Sequence, residues 1–272
     1  VVQGKGILSG YDLVCKVLRE KPKDPIGYLL ACAHDNECDF LEFKAGMELK
    51  PENAKPGETQ DDLYWDYAQA VIALVNTKGG AFVVGVNDDS HKAVGLETND
   101  PRHVIEKRGL EAYVREEVDA RLNPPDLKWR AKGGVSWRLR KTLAPYLDSR
   151  IVSFDGKDVV LVLVKPCDGP CIRVIREKQA ERSEKMPIRR LGNLGRSQLL
   201  DFQDEWDDWE SKRTQSSDLI ERLFDQLEGE SEEAACEQAI SAYYARLTEK
   251  ANRMLAVFTP LDARENAFAD EA

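Results

Sequence analysis

The chain has few histidines, which often serve as catalytic residues, and few cysteines, which are frequent in secreted disulfide-rich domains. It contains three histidines and six cysteines among 272 residues. So few histidines make acid–base catalysis by histidine a poor hypothesis. Six cysteines in a chain of this length lack the density of a disulfide-rich secreted domain, so we expect reduced thiols and a cytoplasmic protein.

Long apolar segments are also missing. No stretch approaches the roughly 18 consecutive apolar residues that a membrane-spanning helix requires, so we expect no membrane partner. Hydrophobic residues still make up 42% of the chain. That content and the chain length suffice to bury a full core in one large domain, or in one domain with an appendage.

The chain has a net negative charge overall, but not in every region. The formal net charge of −10 would by itself disfavour nucleic acid as a partner. Residues 200–272, however, carry 19 acids and 7 bases, whereas residues 1–199 carry 30 acids and 32 bases. The body of the chain is therefore slightly basic, and local basic patches rather than the global charge decide which partners it attracts.

Two groups of side chains concentrate this positive charge. The first group is Lys128, Arg130, Lys132, Arg138, Arg140 and Lys141, in a segment without an acid. The second group is Arg189, Arg190 and Arg196. We expect both groups to bind a nucleic-acid backbone, with Trp129 and Trp137 offering stacking surfaces. The alternatives are that the tryptophans lie in the core of a solvated hairpin and that the arginines pair with the acidic tail.

Apolar periodicity predicts an α+β fold in which a mixed β-sheet is flanked by helices. The expected helices lie at 11–33 (one or two), 61–76 and 103–122, and the expected strands at 40–44, 81–86, 159–165 and 171–175. Gly133-Gly134 suggests a hairpin tip. Beyond Ser197 the pattern is helical throughout, with apolar residues such as Leu223 on strongly acidic helices. We expect these stripes to mediate self-association.

Two glutamates five residues apart, Glu37 and Glu42, are the most informative pair. No regular element places both on one face, but the preceding Asp35-Asn36 forms turns readily and would let Glu37 fold back over Glu42. Asp88 follows the strand expected at 81–86. If the two strands are adjacent, three carboxylates converge, a set that suits Mg²⁺ or Mn²⁺. The alternative is ordinary surface glutamates and a plain turn.

Lysines near these carboxylates are candidate phosphate contacts. Lys44 lies on the Glu42 side of its strand. Lys78 belongs to the run Asn76-Thr77-Lys78-Gly79-Gly80, which invites comparison with a phosphate-binding loop. In that loop the glycines precede a helix, whereas here they follow one, so we predict a helix C-cap and tight turn instead.

The ordered motifs resemble the Schlafen-type AlbA-like domain. They are Glu-x4-Glu-Phe-Lys from Glu37, a helix ending in Asn-Thr-x-Gly-Gly, the apolar-Gly-Val-x-Asp run up to Asp88, and Pro187 to Asn193, which is similar to the family's closing arginine-glycine motif. The resemblance covers roughly residues 37–200. Together with the apolar pattern, it predicts a helical segment at 1–36, the AlbA-like domain at 37–200, and an acidic helical extension at 201–272.

Schlafen proteins of this type include metal-dependent endoribonucleases that cut tRNA and rRNA with two glutamates and an aspartate. The resemblance therefore implies that Glu37, Glu42 and Asp88 are catalytic and hold Mg²⁺ or Mn²⁺, with Asp89 as the alternative aspartate. RNA such as tRNA is the expected partner, and DNA is an alternative. Animal Schlafen cores pair two related lobes, whereas this chain has one, so we expect a homo-oligomer formed by the C-terminal helices.

Other relatives of the family are known only as nucleic-acid-binding or regulatory modules. Two further functions therefore stand beside the nuclease. One is a nucleic-acid-binding regulator without cleavage activity. The other is an assembly subunit that acts through its acidic helices.

Overall fold

The structure, a computed structural model, describes residues 9–21, 23–32, 40–48, 56–96, 109–179, 181–189, 197–212 and 218–229. The chain divides into two compact units, Val1–Asp225 and Gln226–Ala272. The helices are α1 Gly10–Glu20, α2 Pro25–Cys32, α3 Gln60–Asn76, α4 Leu110–Tyr113, α5 Ala120–Leu122, α6 Gln203–Lys212 and α7 Asp218–Gly229, and a π-helical stretch, Val114–Asp119, joins α4 to α5. Within the described part, no helix is long and apolar enough to cross a bilayer.

Nine described strands form two sheets. The strands are β1 Leu41–Lys44, β2 Gly80–Val84, β3 Lys128–Ala131, β4 Val135–Leu139, β5 Leu147–Phe154, β6 Lys157–Val164, β7 Val174–Lys178, β8 Glu181–Arg189 and β9 Ser197–Leu200. The first sheet has the order β1-β2-β6-β5 and is mixed, because β1 and β2 run parallel while the other pairs are antiparallel. The second sheet, β3-β4-β7-β8-β9, is antiparallel throughout. The predicted α+β class is confirmed, with two sheets in place of one.

Helix α3 lies between the two sheets, and its sequence reflects that position. It begins at a capping box in which Thr59 and Asp62 satisfy each other's backbone N–H groups. It contacts β2 and β6 of the first sheet and β3 and β8 of the second. Because sheets cover both sides, the helix is apolar around most of its circumference instead of along one stripe. Trp65 marks the second-sheet side, where its ring stacks on Trp137 at a centroid distance of 4.3 Å.

The opposite face of the first sheet is covered by the N-terminal helices. Helix α1 begins at a capping box formed by Ser9 and Asp12, and it buries Leu13, Val14 and Val17. It contacts β2 and β6, while α2 contacts β5. The one or two helices predicted for residues 11–33 are therefore confirmed as two, and β2, which α1 contacts, is buried along its whole length.

The region after residue 170 departs from the sequence-based prediction. The strand expected at 171–175 begins at Val174, β5 and β8 were not predicted, and residues 197–200 form β9 instead of a helix. Strand β9 pairs with β8, so that Met186 lies opposite Leu200. The first half of β8 is rich in charged residues, and β9 is only four residues long. Neither offers a periodic signal, because each is defined by its non-local partner.

Helix α6 packs on this end of the second sheet. Trp206 is buried in a cluster with Cys171, Met186, Ile188 and Leu200. Its indole N–H donates to the Leu200 carbonyl at 3.0 Å. The start of the predicted acidic extension is thus part of the compact unit Val1–Asp225.

Candidate active site

The two strands that carry the predicted carboxylates are neighbours. Strands β1 and β2 are paired in parallel, with Glu42 opposite Phe82 and Lys44 opposite Val84. Residues two apart on a strand share a face, so Glu42 and Lys44 project on the same side. That side faces α3, since the Lys44 ammonium lies 5.9 Å from the ring centroid of Tyr67. The predicted adjacency of the strands is confirmed.

Asp88 reaches the same place from the turn that follows β2. The side chain of Asn87 shapes this turn by accepting hydrogen bonds from the backbone N–H groups of Asp89 (3.1 Å) and Ser90 (2.8 Å). The Asp88 Oδ2 atom lies 2.6 Å from the Lys44 Nζ atom, and Glu42 Oε1 lies 2.9 Å from it. Two carboxylates therefore converge on one cation. Asp88, the first choice over Asp89, is the aspartate that reaches it.

Arg189 completes the cluster from the second sheet. Its Nη1 atom lies 2.5 Å from Glu42 Oε2, and its Nη2 atom donates to the Leu41 carbonyl at 3.2 Å. Its backbone N–H donates to the Thr77 hydroxyl at 3.4 Å. We call the chain of ion pairs Arg189–Glu42–Lys44–Asp88 the edge site, because β1 is the edge strand of the first sheet.

Arg189 was predicted to bind nucleic acid, but its side chain is 0% exposed. In the structure, its guanidinium group instead forms an ion pair with Glu42. Sequence reasoning missed this role because the two residues are 147 positions apart. A usable signal was present: Arg189 directly follows the apolar run Met186-Pro187-Ile188, where a strand enters the core, and a buried guanidinium requires an anionic partner.

The partners of each carboxylate set its charge state. Burial raises the pKa of Glu42, but Arg189 and Lys44 lower it by more, so the pKa lies below its ordinary value. Burial also raises the pKa of Asp88, and Lys44 only partly offsets that effect, so the pKa lies above its ordinary value. Glu42 is thus the firmly ionised member of the pair, while Asp88 is the more exposed one, with a side chain 44% accessible.

The convergence of Glu42 and Asp88 fits part of a divalent cation site. Carboxylate oxygens are the ligands that Mg²⁺ prefers, and Mg²⁺ is commonly held by one or two carboxylates together with water and phosphate oxygens. The described residues include no group of three His, Cys, Asp or Glu side chains that could hold a metal. Glu37, the predicted third ligand, lies outside the described residues.

The run Asn76 to Gly80 builds the scaffold under this site, as the predicted helix C-cap. The Gly79 N–H donates to the Leu74 carbonyl at 2.9 Å and ends α3. Gly80 adopts φ +147°, and a Cβ atom there would lie 2.0 Å from the Phe40 carbonyl oxygen. Only glycine therefore lets β2 approach the start of β1 this closely. Lys78, the candidate phosphate contact, is buried, with 6% of its surface exposed.

Asn76 ties the end of α3 to the second sheet. Its side-chain amide donates to the carbonyls of Ile172 and Pro187, each at 2.8 Å, and its Oδ1 atom accepts from the Ile172 N–H at 2.6 Å. Pro187 is two residues before Arg189. The asparagine of the motif thus fixes the strand from which Arg189 reaches Glu42, and its role is structural.

The basic segment 128–141 forms the predicted hairpin, β3 and β4, with Gly133 and Gly134 at its tip. Trp129 and Trp137 are buried against Trp65, so the core interpretation of the tryptophans is correct. Residues that alternate with them point away from α3. We call this surface the outer face; its basic side chains are Lys128, Arg130, Arg138 and Arg140.

The outer face is basic but partly neutralised. Lys128 lies 3.8 Å from Glu177, and Arg140 pairs with Glu184. Within the described residues, Arg130 and Arg138 form no ion pair. A cavity of about 270 Å³ opens beside Arg138, Arg140 and Arg182, and Ile175 also lines it.

The remaining predicted basic residues are distributed around the hairpin or fall outside it. Lys132 donates to the Pro56 carbonyl at 2.7 Å, and Lys141 is exposed. Arg190 and Arg196 lie outside the described residues. The structure thus places the four outer-face bases together and separates them from the buried Arg189.

A family model described as Schlafen, AlbA_2 matches residues 37–194, which is more than half of the chain. The chain belongs to the Schlafen AlbA_2 family. Schlafen AlbA_2 proteins are generally nucleases or otherwise related to nucleic acids, and they generally bind nucleic acid. The match confirms the resemblance that the ordered motifs indicated, and it includes the edge site together with the whole basic hairpin.

No curated protein matches the chain. Among solved structures, the chain is similar to the DIP2311 protein of Corynebacterium diphtheriae, with 16% sequence identity and a TM-score of 0.32. The alignment covers 66% of this chain and 24% of that protein, so the chain spans about a quarter of its length.

Proposed function

We propose that this Schlafen AlbA_2 protein is an endoribonuclease that uses Mg²⁺ or Mn²⁺ to cut structured RNA such as tRNA. The observation that carries the proposal is the meeting of Glu42 and Asp88 at one position, 2.9 Å and 2.6 Å from the Lys44 ammonium. Paired carboxylates at a partly open sheet edge suit a hard divalent cation. Family membership supplies the nucleic-acid context.

Each residue of the edge site has a distinct role in this proposal. Glu42 and Asp88 hold the divalent cation, and Glu37 is the expected third ligand. The bound ion supplies neutralisation of phosphate charge and an activated water. Lys44, on the same strand as Glu42, contacts the phosphate of the RNA. Arg189 keeps Glu42 ionised and oriented, through the 2.5 Å contact with Oε2.

The outer face is the proposed site for the RNA backbone. Its arginines project from the second sheet, whereas the edge site lies at the far end of β8. From Arg182, beside the outer face, to Arg189 the strand runs seven residues, or roughly 23 Å at the usual rise. An RNA that contacts both places must therefore extend over several phosphates, which favours a polynucleotide over a single nucleotide.

Incubation with total tRNA tests the nuclease directly. Mn²⁺ should give discrete fragments, EDTA should abolish them, and Glu42→Gln should abolish them in the presence of Mn²⁺. Asp168→Asn is the matched control, because it removes a carboxylate whose side chain is 86% exposed and whose ion-pair partner is Lys165, which is not part of the edge site. Fragments that persist in EDTA, or in Glu42→Gln, would contradict the proposal.

A second candidate function is a nucleic-acid-binding regulator that does not cleave. The observation that favours it is that both oxygens of Glu42 already have cationic partners, Lys44 and Arg189. This candidate predicts tRNA binding without fragments, with an affinity that falls steeply as salt rises. The tRNA incubation therefore separates the two candidates.

Assembly through the acidic helices is the third candidate, and self-association remains a proposal. Leu223, an apolar residue of α7, is buried, with 3% of its surface exposed. This residue is thus already covered by the chain itself. A dimer interface would have to use other apolar residues, such as Tyr243, which lies outside the described residues.

A further inference from the structure

We propose that Lys44 is an internal cation that competes with the divalent ion for Glu42 and Asp88. In this view the ammonium group must leave the two carboxylates before a divalent cation can be bound. The inference rests on the proposed function, because it concerns the same metal-binding carboxylates. It adds a regulatory property that the nuclease proposal does not contain: the metal-free site is closed by a side chain of the protein.

The two oxygens of Glu42 have unequal partners, and this inequality is the first argument. Arg189, which binds Oε2, is 0% exposed and also donates to the Leu41 carbonyl. Lys44, which binds Oε1, has a side chain 16% exposed and is shared with the more accessible Asp88. The inner cation is therefore fixed, and the outer cation is the one that can be exchanged.

Charge balance is the second argument. Arg189, Glu42, Lys44 and Asp88 carry two positive and two negative charges, so the edge site is neutral without a metal. A divalent ion added beside an unmoved Lys44 would place two cations within contact distance in a partly buried site, where their repulsion is poorly screened. Displacement of the ammonium removes that repulsion, and it exposes Glu42 Oε1 and Asp88 Oδ2 to the ion.

An aromatic ring near Lys44 can accommodate the displaced ammonium group. Its four-carbon stem is flexible, and the ring of Tyr67 already lies 5.9 Å from Nζ. A cation held near an aromatic face beside the carboxylates remains close enough to meet a phosphate. RNA would thus offer Lys44 a new anionic partner, so that RNA and the divalent ion bind with positive coupling.

Mn²⁺ binding to the RNA-free protein tests the inference with a readout other than cleavage. Titration calorimetry or the electron paramagnetic resonance signal of free Mn²⁺ would compare wild type, Lys44→Met, Lys44→Gln and Glu42→Gln. We expect Lys44→Met and Lys44→Gln to bind Mn²⁺ about tenfold more tightly than wild type. Glu42→Gln should bind it much more weakly. Thermal unfolding of each variant establishes that it is folded.

Lys92→Met is the matched control for a general loss of positive charge. Lys92 is exposed and lies in the same turn region as Asp88, where its carbonyl accepts the Asn87 N–H at 3.0 Å. The Lys92→Met substitution removes one positive charge, as Lys44→Met does, but it leaves the ammonium group between the two carboxylates in place. Its Mn²⁺ affinity should remain within about twofold of wild type, since exposed charges are well screened.

Three outcomes overturn the inference, and they differ in what they say about the nuclease. If wild type binds Mn²⁺ and neither Lys44 variant binds it more tightly, Lys44 does not compete, while the proposed function stands. An equal gain of affinity in Lys92→Met likewise overturns the competition and leaves the proposed function standing. If wild type, the Lys44 variants and Glu42→Gln all fail to bind Mn²⁺, both the inference and the metal-dependent function are overturned.

Discussion

The charged residues of the edge site and those of the outer face belong to one fold but differ in solvent exposure and in ion pairing. At the edge site, the Glu42 side chain is 10% exposed and both of its oxygens are ion-paired. On the outer face, Arg138 is exposed and forms no ion pair with any described residue. Buried charges depend on their partners, whereas exposed charges depend on solvent and salt. Substitutions at the edge site should therefore change stability, and those on the outer face should change binding.

Arg189→Met should have the largest effect, because it breaks the most deeply buried pair. The substitution leaves the Glu42 carboxylate buried beside only one cation, and removal of one partner of a buried pair costs about 3–5 kcal/mol. The free energy of unfolding in urea measures the loss. Arg138→Met is the matched control on the outer face and should stay within about 0.5 kcal/mol of wild type.

The double variant Glu42→Met/Arg189→Met sharpens this prediction. Removing both charges leaves no uncompensated ion, so the double variant should recover much of the stability that Arg189→Met loses. A loss of less than about 1 kcal/mol in Arg189→Met would mean that the pair is solvated, and the contrast between the two regions would fail.

The parts of the edge site that could be predicted are those that depend on residues close together in the sequence. Glu42 and Lys44 share a face because they are two apart on a strand, which is a local rule that the sequence contains. The start of β2 was also expected, because Gly79-Gly80 ends a strongly periodic helix directly before an apolar run, while its adjacency to β1 was the condition on which the carboxylate site depended. These are short-range features, and the structure agrees with them.

Arg189 shows where sequence reasoning ended. Its partner Glu42 is 147 residues away, and the strand that brings it there, β8, alternates poorly because its first half is charged and its second half is buried. Of the second sheet, the hairpin β3–β4 and a strand overlapping β7 were predicted, whereas β8 and β9 were missed for the same reason, since each is defined by its pairing. Basic residues thus looked alike in the sequence, although one group is exposed and Arg189 is in the core.

The double variant Arg130→Gln/Arg138→Gln probes the outer face and should have an intermediate effect. If both side chains contact phosphates, their removal should weaken tRNA binding about tenfold, whatever the RNA sequence. The slope of the logarithm of the binding constant against the logarithm of the salt concentration should become shallower by about one for each lost contact. Filter binding over a range of salt concentrations measures both quantities. The free energy of unfolding should hardly change, because both side chains are exposed.

Lys178→Gln is a suitable control for that measurement, since Lys178 is an exposed base at the end of β7. It should leave the salt dependence of binding unchanged. An unaltered salt dependence in the double variant as well would show that RNA binds elsewhere, and the outer face would then be only a solvated surface.

Asp62→Ala should have the smallest effect, and it tests how the hairpin beneath the outer face is attached to α3. Asp62 closes the capping box with Thr59 and accepts the Lys132 N–H at 2.6 Å.

Burial raises the pKa of Asp62, but the hydrogen bonds from Lys132 and Thr59 lower it by more, so the pKa lies below its ordinary value of 3.8. The ionised carboxylate therefore stabilises the fold above that ordinary value, and its contribution is lost as the pH falls through the lower pKa of the folded protein. We expect Asp62→Ala to lose about 1 kcal/mol of unfolding free energy at pH 7, with the difference from wild type shrinking below about pH 4 in urea titrations. The exposed Asp61→Ala, in the same first turn, should show a smaller loss, and an equal loss would assign the effect to the helix dipole instead of the attachment of the hairpin.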